Sequence, residues 1–189
     1  MIAFWGLFIG IPLLAFGGAL AVSPSAARRF TMWFRTSRPA AGVLTVVAWF
    51  WTAYECNIIG IDFFDMLLKR FPGEVWILAA VLSYLTFMWM PKNLPVRALT
   101  GLLMLLPAEL FKTTHAYRPP VGTWFAAVDV FVYVAYAGAL VGMYGMFYPW
   151  RLEKGFDIVT RTDCGARALG AALAALGIAL VAIGFSLRG

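Results

Sequence analysis

The chain has 189 residues, of which 62% are hydrophobic and only 13% charged, with a mean hydropathy of +0.83. Soluble domains are roughly half apolar and a quarter charged, so this composition excludes an ordinary soluble protein and points to an all-α, polytopic helical membrane protein. Fifteen Lys and Arg against nine Asp and Glu leave a net charge of +6. In a chain this apolar the basic excess sets membrane orientation and does not imply a nucleic-acid partner.

The apolar residues fall into six segments that we read as spans: 2–22, 41–60, 75–90, 97–116, 124–149 and 168–187. A helix needs about 20 residues to cross roughly 30 Å of hydrocarbon. The connections are short, which predicts one transmembrane domain over residues 1–189. The first segment enters its apolar run at Ile2 with no basic residues before it; Arg28 and Arg29 follow it. That order predicts a retained first span with its N-terminus outside, not a cleaved signal peptide. In the fourth segment only Ala98 to Phe111 is cleanly apolar, and Pro107 interrupts it. Proline removes a backbone hydrogen bond, so a kink is expected, and a re-entrant segment is the alternative.

Ten of the fifteen basic residues lie in the connections after the first, third and fifth segments, among them Arg28, Arg29, Arg35, Arg38, Lys92, Arg97 and Arg151. The positive-inside rule makes that face cytoplasmic, places both termini outside, and suits a bacterial inner membrane. Trp5, Trp76 and Trp124 begin segments on the outer side, whereas Trp89, Tyr148 and Trp150 end them on the inner side. These form the aromatic belts of a membrane boundary.

Two connections read as interfacial. Residues 25–38 mix Phe30, Trp33 and Phe34 with Arg28, Arg29, Arg35 and Arg38. A short helix on an anionic leaflet suits this composition, with the four arginines toward lipid headgroups. On the outer side, Ile61, Phe64, Leu68 and Phe71 share one helical face, and Asp65 and Lys69 are spaced i, i+4.

Ionisable side chains inside a bilayer are costly, at about 2.5–3.5 kcal/mol each near a helix centre, and therefore ask for a reason. Glu55, Glu109 and Asp129 fall in the outer third of three different segments, with Asn57, Lys112 and His115 nearby in sequence and depth. These six form a candidate binding cluster. The readings that remain open are helix packing through Glu109–Lys112 pairing, a solute or proton site, and an oxygen-rich metal site built with His115. After the run from Lys112 to Pro120, with Pro119, Pro120 and Gly122 ending the helix, a stiff outer loop is expected that would cap such a cluster.

No catalytic residue is assigned, and no cofactor or metal is implied by motif: HExxH, GxSxG and Gly-rich phosphate loops do not occur, and Cys56 and Cys164 have no ligand spacing.

Packing signals are clearer. Gly170, Gly177 and Gly184 repeat every seven residues, Gly138 and Gly142 form a small-xxx-small pair, and Gly6 and Gly10 do the same. Small residues let helices approach closely where lipid supplies no hydrophobic drive. The sixth segment's glycine face is read as meeting either the chain's own helices or another subunit. The leading functional expectation is a small membrane subunit that packs within a larger complex, its partners being the bilayer and other membrane subunits or a second copy. A transporter using the carboxylate cluster is the first alternative. The second is an embedded enzyme acting on lipid or quinone.

Overall fold

The computed structural model describes residues 1–59, 74–89, 92–115 and 126–187, and for 57–59 the backbone only. Eight helices make up this part, with no strand among the described residues: α1 (Ile2–Val22), α2 (Pro24–Thr36), α3 (Arg38–Ile59), α4 (Glu74–Trp89), α5 (Leu94–His115), α6 (Asp129–Phe147), α7 (Pro149–Val159) and α8 (Asp163–Ser186). Four of them, α1, α5, α6 and α8, are long and apolar enough to cross a membrane. Of the six segments expected to span, α3, with Arg38 and Glu55 near its ends, and α4, a 16-residue helix, fall outside that group. The outer amphipathic connector around Ile61 to Phe71 and the Pro119–Pro120 loop lie outside the described residues.

The helices associate as pairs. α1 runs antiparallel to α8, and their contact is a seam of glycines: Gly6 faces Gly184, Gly10 faces Gly177 and Gly17 faces Gly170. A Cβ placed on Gly17 would stand 2.5 Å from the Ala174 backbone nitrogen, and one on Gly170 2.5 Å from that of Ala21. Backbone lies against backbone at each glycine, with the Val181 side chain also against Gly10, so dispersion contacts accumulate along the seam. The heptad glycines of α8 therefore meet the chain's own first helix.

α5 and α6 form the second antiparallel pair, with Gly142 against Thr100 and Met104, and Gly145 against Thr100 and Leu152. Gly138 sits more loosely, at ordinary contact distance from the Leu103 carbonyl and Leu106. α5 continues through Pro107 from Leu94 to His115 as one helix, so the re-entrant alternative does not hold for it. Pro107 cannot donate to the Leu103 carbonyl four residues back, and it is this carbonyl that lies against Gly138.

The two pairs share one core, in which Ile2 and Trp5 of α1, Leu106 and Leu110 of α5, Phe131 and Ala135 of α6 and Leu180 of α8 are all buried. α3 packs on α5 and joins the core through Trp51, which stacks on Trp5 with ring centroids 6.1 Å apart. α4 completes the row by lying antiparallel on α3. The Trp49 indole N–H donates to the Thr86 hydroxyl at 3.0 Å, and Phe50 stacks on Trp76.

Several boundaries differ from the sequence reading, α3 and α5 each starting three residues before the expected 41 and 97. α8 starts five residues before the expected 168, because Thr162 caps it by accepting from the Gly165 N–H. α6 begins at Asp129, after a turn over Ala127 and Val128, and not at 124. Residues 149–159, read only as a connection, form α7, opened by Pro149 in its first turn.

The glycine seam predicts a sharp local contrast. Gly17→Ala should cost about 1–3 kcal/mol through overpacking, whereas Gly18→Ala, where an added Cβ meets nothing within 4 Å, should be neutral or stabilising. Thermal unfolding of the two variants in the same detergent checks this.

Candidate functional site

The charged group best enclosed by the bundle is Glu55, on the last turns of α3, 3% exposed and facing α5. Its carboxylate accepts from two sides. The Trp51 indole N–H, one turn earlier, donates to Oε1 at 3.0 Å, and the Lys112 ammonium donates to Oε2 at 2.9 Å. Lys112 also donates to Glu109 Oε1 at 3.1 Å, three residues back on α5. The helical spacing i, i+3 puts Glu109 and Lys112 on one face, and the parallel course of α3 and α5 brings Glu55 to that face.

The arrangement is two carboxylates on one ammonium, with a net charge of about −1. Burial grades across it: the Glu55 side chain is 4% exposed, that of Glu109 16% and that of Lys112 41%. Lys112 therefore joins an enclosed carboxylate to the surface. Such a triad holds α3 to α5, and its surplus negative charge can attract a cation or exchange a proton through the exposed ammonium side.

Other residues of the expected cluster take different places. Asp129 does not join Glu55 and Glu109: its Oδ2 accepts from the Ala126 backbone N–H at 2.8 Å, so it closes the first turn of its own helix. The carboxylate thus satisfies a backbone donor of the turn that leads into the helix. His115 ends α5 exposed, and Asn57 lies on α3 with its side chain outside the described residues. Among the described residues no three His, Cys, Asp or Glu side chains gather closely enough to hold a metal ion, so Glu55, Glu109, Asp129 and His115 do not form one ligand set.

On the basic face, Arg28 and Arg35 are engaged with protein. Arg28 bonds Asp163 at 2.7 Å, and Arg35 grips both oxygens of Asp157 at 3.0 and 2.8 Å while lying over the Phe156 ring. The bond to Asp157 holds the Arg35 guanidinium above its ordinary range, against the opposing effect of burial. Burial pushes the neighbouring Glu153 carboxyl up, and its Oε1 is buried with no hydrogen-bond partner among the described residues. Of the four arginines read as headgroup ligands, Arg29 and Arg38 stay exposed, without an ion-pair partner among the described residues.

Removing Lys112 strands a buried charge, whereas removing Glu109 leaves the Glu55–Lys112 bond in place. Lys112→Ala should therefore destabilise the protein more than Glu109→Ala does. A double-mutant cycle of Glu55→Gln with Lys112→Ala, read by thermal unfolding, should return a coupling of about 0.5–3 kcal/mol. No family model, curated protein or solved structure matches the chain.

Proposed function

We propose that the protein is a small polytopic subunit of a bacterial inner membrane, with both termini outside, that packs within a larger membrane assembly and stabilises it. In this reading the chain crosses six times, α3 and α4 being the second and third crossings. The alternating directions of α1, α3, α4, α5, α6 and α8 support that count, and the 22 residues of α3 reach about 33 Å at 1.5 Å per residue.

The observation that carries the subunit reading is α4. Its substantial contacts are with α3 alone among the described helices, and it turns Ile77, Leu78, Val81, Tyr84, Met88 and Trp89 outward. An edge helix held on one side is a natural place for a partner's helix to pack. Purification from the source at its natural level in mild detergent, followed by mass determination of the intact particle, should give a stoichiometric complex larger than the chain. Ile77→Trp, on the outward face, should release the partner without unfolding the chain. A lone monomer overturns the reading.

A second reading rests on the triad. A buried carboxylate linked to solvent through a half-exposed lysine suits a small-solute or proton-coupled transporter, with Glu55 and Glu109 as the coupling groups. In proteoliposomes containing a pH-sensitive dye, the wild-type chain should carry a proton flux that Glu109→Gln abolishes while the protein remains folded. Equal flux in wild type and variant, or none in either, removes this reading.

A further inference from the structure

On the basic face the described residues enclose a cavity of about 760 Å³, whose lining includes Arg35, Arg38, Lys92, Asn93, Arg97 and Trp150 and no carboxylate. Arg35 is already neutralised by Asp157. Among the described residues Arg38, Lys92 and Arg97 have no ion-pair partner, although the Arg97 guanidinium donates to the Met146 carbonyl at 3.4 Å. Three helices also begin on the cavity wall: α3 at Arg38, α5 at Leu94 and α7 at Pro149. Their first turns bring the positive ends of the helix dipoles to it, although Pro39, Pro95 and Pro149 carry no N–H and the Ala40 N–H already donates to the Ser37 hydroxyl at 3.3 Å. Asn93, on the same wall, takes a left-handed conformation, φ 56°, just before α5 begins. Three cations without ion-pair partners and three helix starts thus converge on one space, and the ligand they fit is an anion with several acceptor oxygens.

A second cavity, of about 430 Å³, adjoins the first. It is an apolar groove between α3 and α4, lined by Gly42, Val46, Phe50, Ser83, Tyr84 and Phe87. The two share Phe87, and Ala41 of the first is next to Gly42 of the second. From Gly42 to Phe50 the groove runs roughly 12 Å along α3, at 1.5 Å per residue. Gly42 opens it, since a Cβ there would reach to 3.7 Å from the Phe87 ring. The Ser83 hydroxyl is turned to the Ala79 carbonyl at 2.7 Å, which leaves the groove apolar.

We infer that these joined cavities form a binding site for an anionic phospholipid of the basic-face leaflet, its phosphate among Arg38, Lys92 and Arg97 and one acyl chain along the α3–α4 groove. Neither half alone specifies this ligand. A soluble phosphate would have no use for the groove, and a zwitterionic lipid would leave the surplus of cations unanswered. The inference does not depend on whether the chain works alone or in an assembly.

The test uses the full chain in detergent, with native mass spectrometry against equal amounts of dioleoyl phosphatidylglycerol and dioleoyl phosphatidylcholine. One phosphatidylglycerol should be retained with about twenty-fivefold preference, taking about fivefold for each of the two exposed cations Arg38 and Lys92. Arg38→Gln combined with Lys92→Gln should bring the two lipids near parity. Both residues are exposed and unpaired among the described residues, so the variant should fold, as checked by tryptophan fluorescence. Gly42→Leu, which fills the groove, should lower phosphatidylglycerol retention while keeping the headgroup preference. Equal retention of the two lipids by the wild type, or unchanged behaviour of either variant, overturns the inference. Displacement of the lipid by an equal concentration of glycerol 1-phosphate also overturns it and assigns the cavity to a soluble phosphate ester.

Discussion

Close approach of two helix backbones along the α1–α8 seam is the constraint on which the rest of this structure depends. In a bilayer, burying Leu or Phe against another helix gains little, because lipid tails already solvate them. What remains is contact density, and three facing pairs of glycines supply it by removing the Cβ where the two backbones come closest. With α1 and α8 so fixed, Ile2, Trp5 and Leu180 project from one side of the pair as a common surface, and α5 and α6 close on it. α3 follows α5, and α4 follows α3. Each later contact is more local and leaves more apolar surface turned outward.

The basic face follows a different logic. α2, α3, α5 and α7 each carry a proline in the first turn, namely Pro24, Pro39, Pro95 and Pro149, where the missing N–H costs nothing. Bonds from α2 reach α7 and α8 through Arg35–Asp157 and Arg28–Asp163 and tie the short surface helices to the bundle. Charge is therefore sorted on this face. Some arginines hold protein to protein, whereas Arg38, Lys92 and Arg97 line a space with no carboxylate among the described residues of its wall.

Much of this was legible in the sequence, and the misses have physical causes. Apolar length gave the helices, and heptad glycines marked the α8 face, though periodicity along one helix does not say which neighbour it meets. Glu109 and Lys112 were readable as a pair because three residues of helix bring them together. That Glu55 joins them depends on the rotation of α3, which depth along the membrane leaves undetermined. Asp129 shows the same limit from the other side: at a similar depth it turned to its own helix start, a use signalled only by its place three residues after Ala126. The partners of Arg28 and Arg35 lie 135 and 122 residues away, on stretches whose helical character was missed. For α7 a signal existed, since Leu152, Phe156 and Val159 recur at helical spacing behind Pro149.

The pairing of α1 with α8 also sets the order in which the molecule can be completed. Ribosomes add roughly 5–20 residues per second, so Gly17 enters the membrane roughly 8–30 s before Gly170 is made. Throughout that interval the small-residue face of α1 lacks α8, the helix it meets in the finished fold, while the sequences of α3, α4, α5 and α6 are made. Assembly of this fold is thus a late closure, in which a helix inserted near the start is recruited by one inserted near the end. Anything that shields the α1 glycines in the meantime, whether lipid or the insertion machinery, takes part in folding without leaving a trace in the finished bundle.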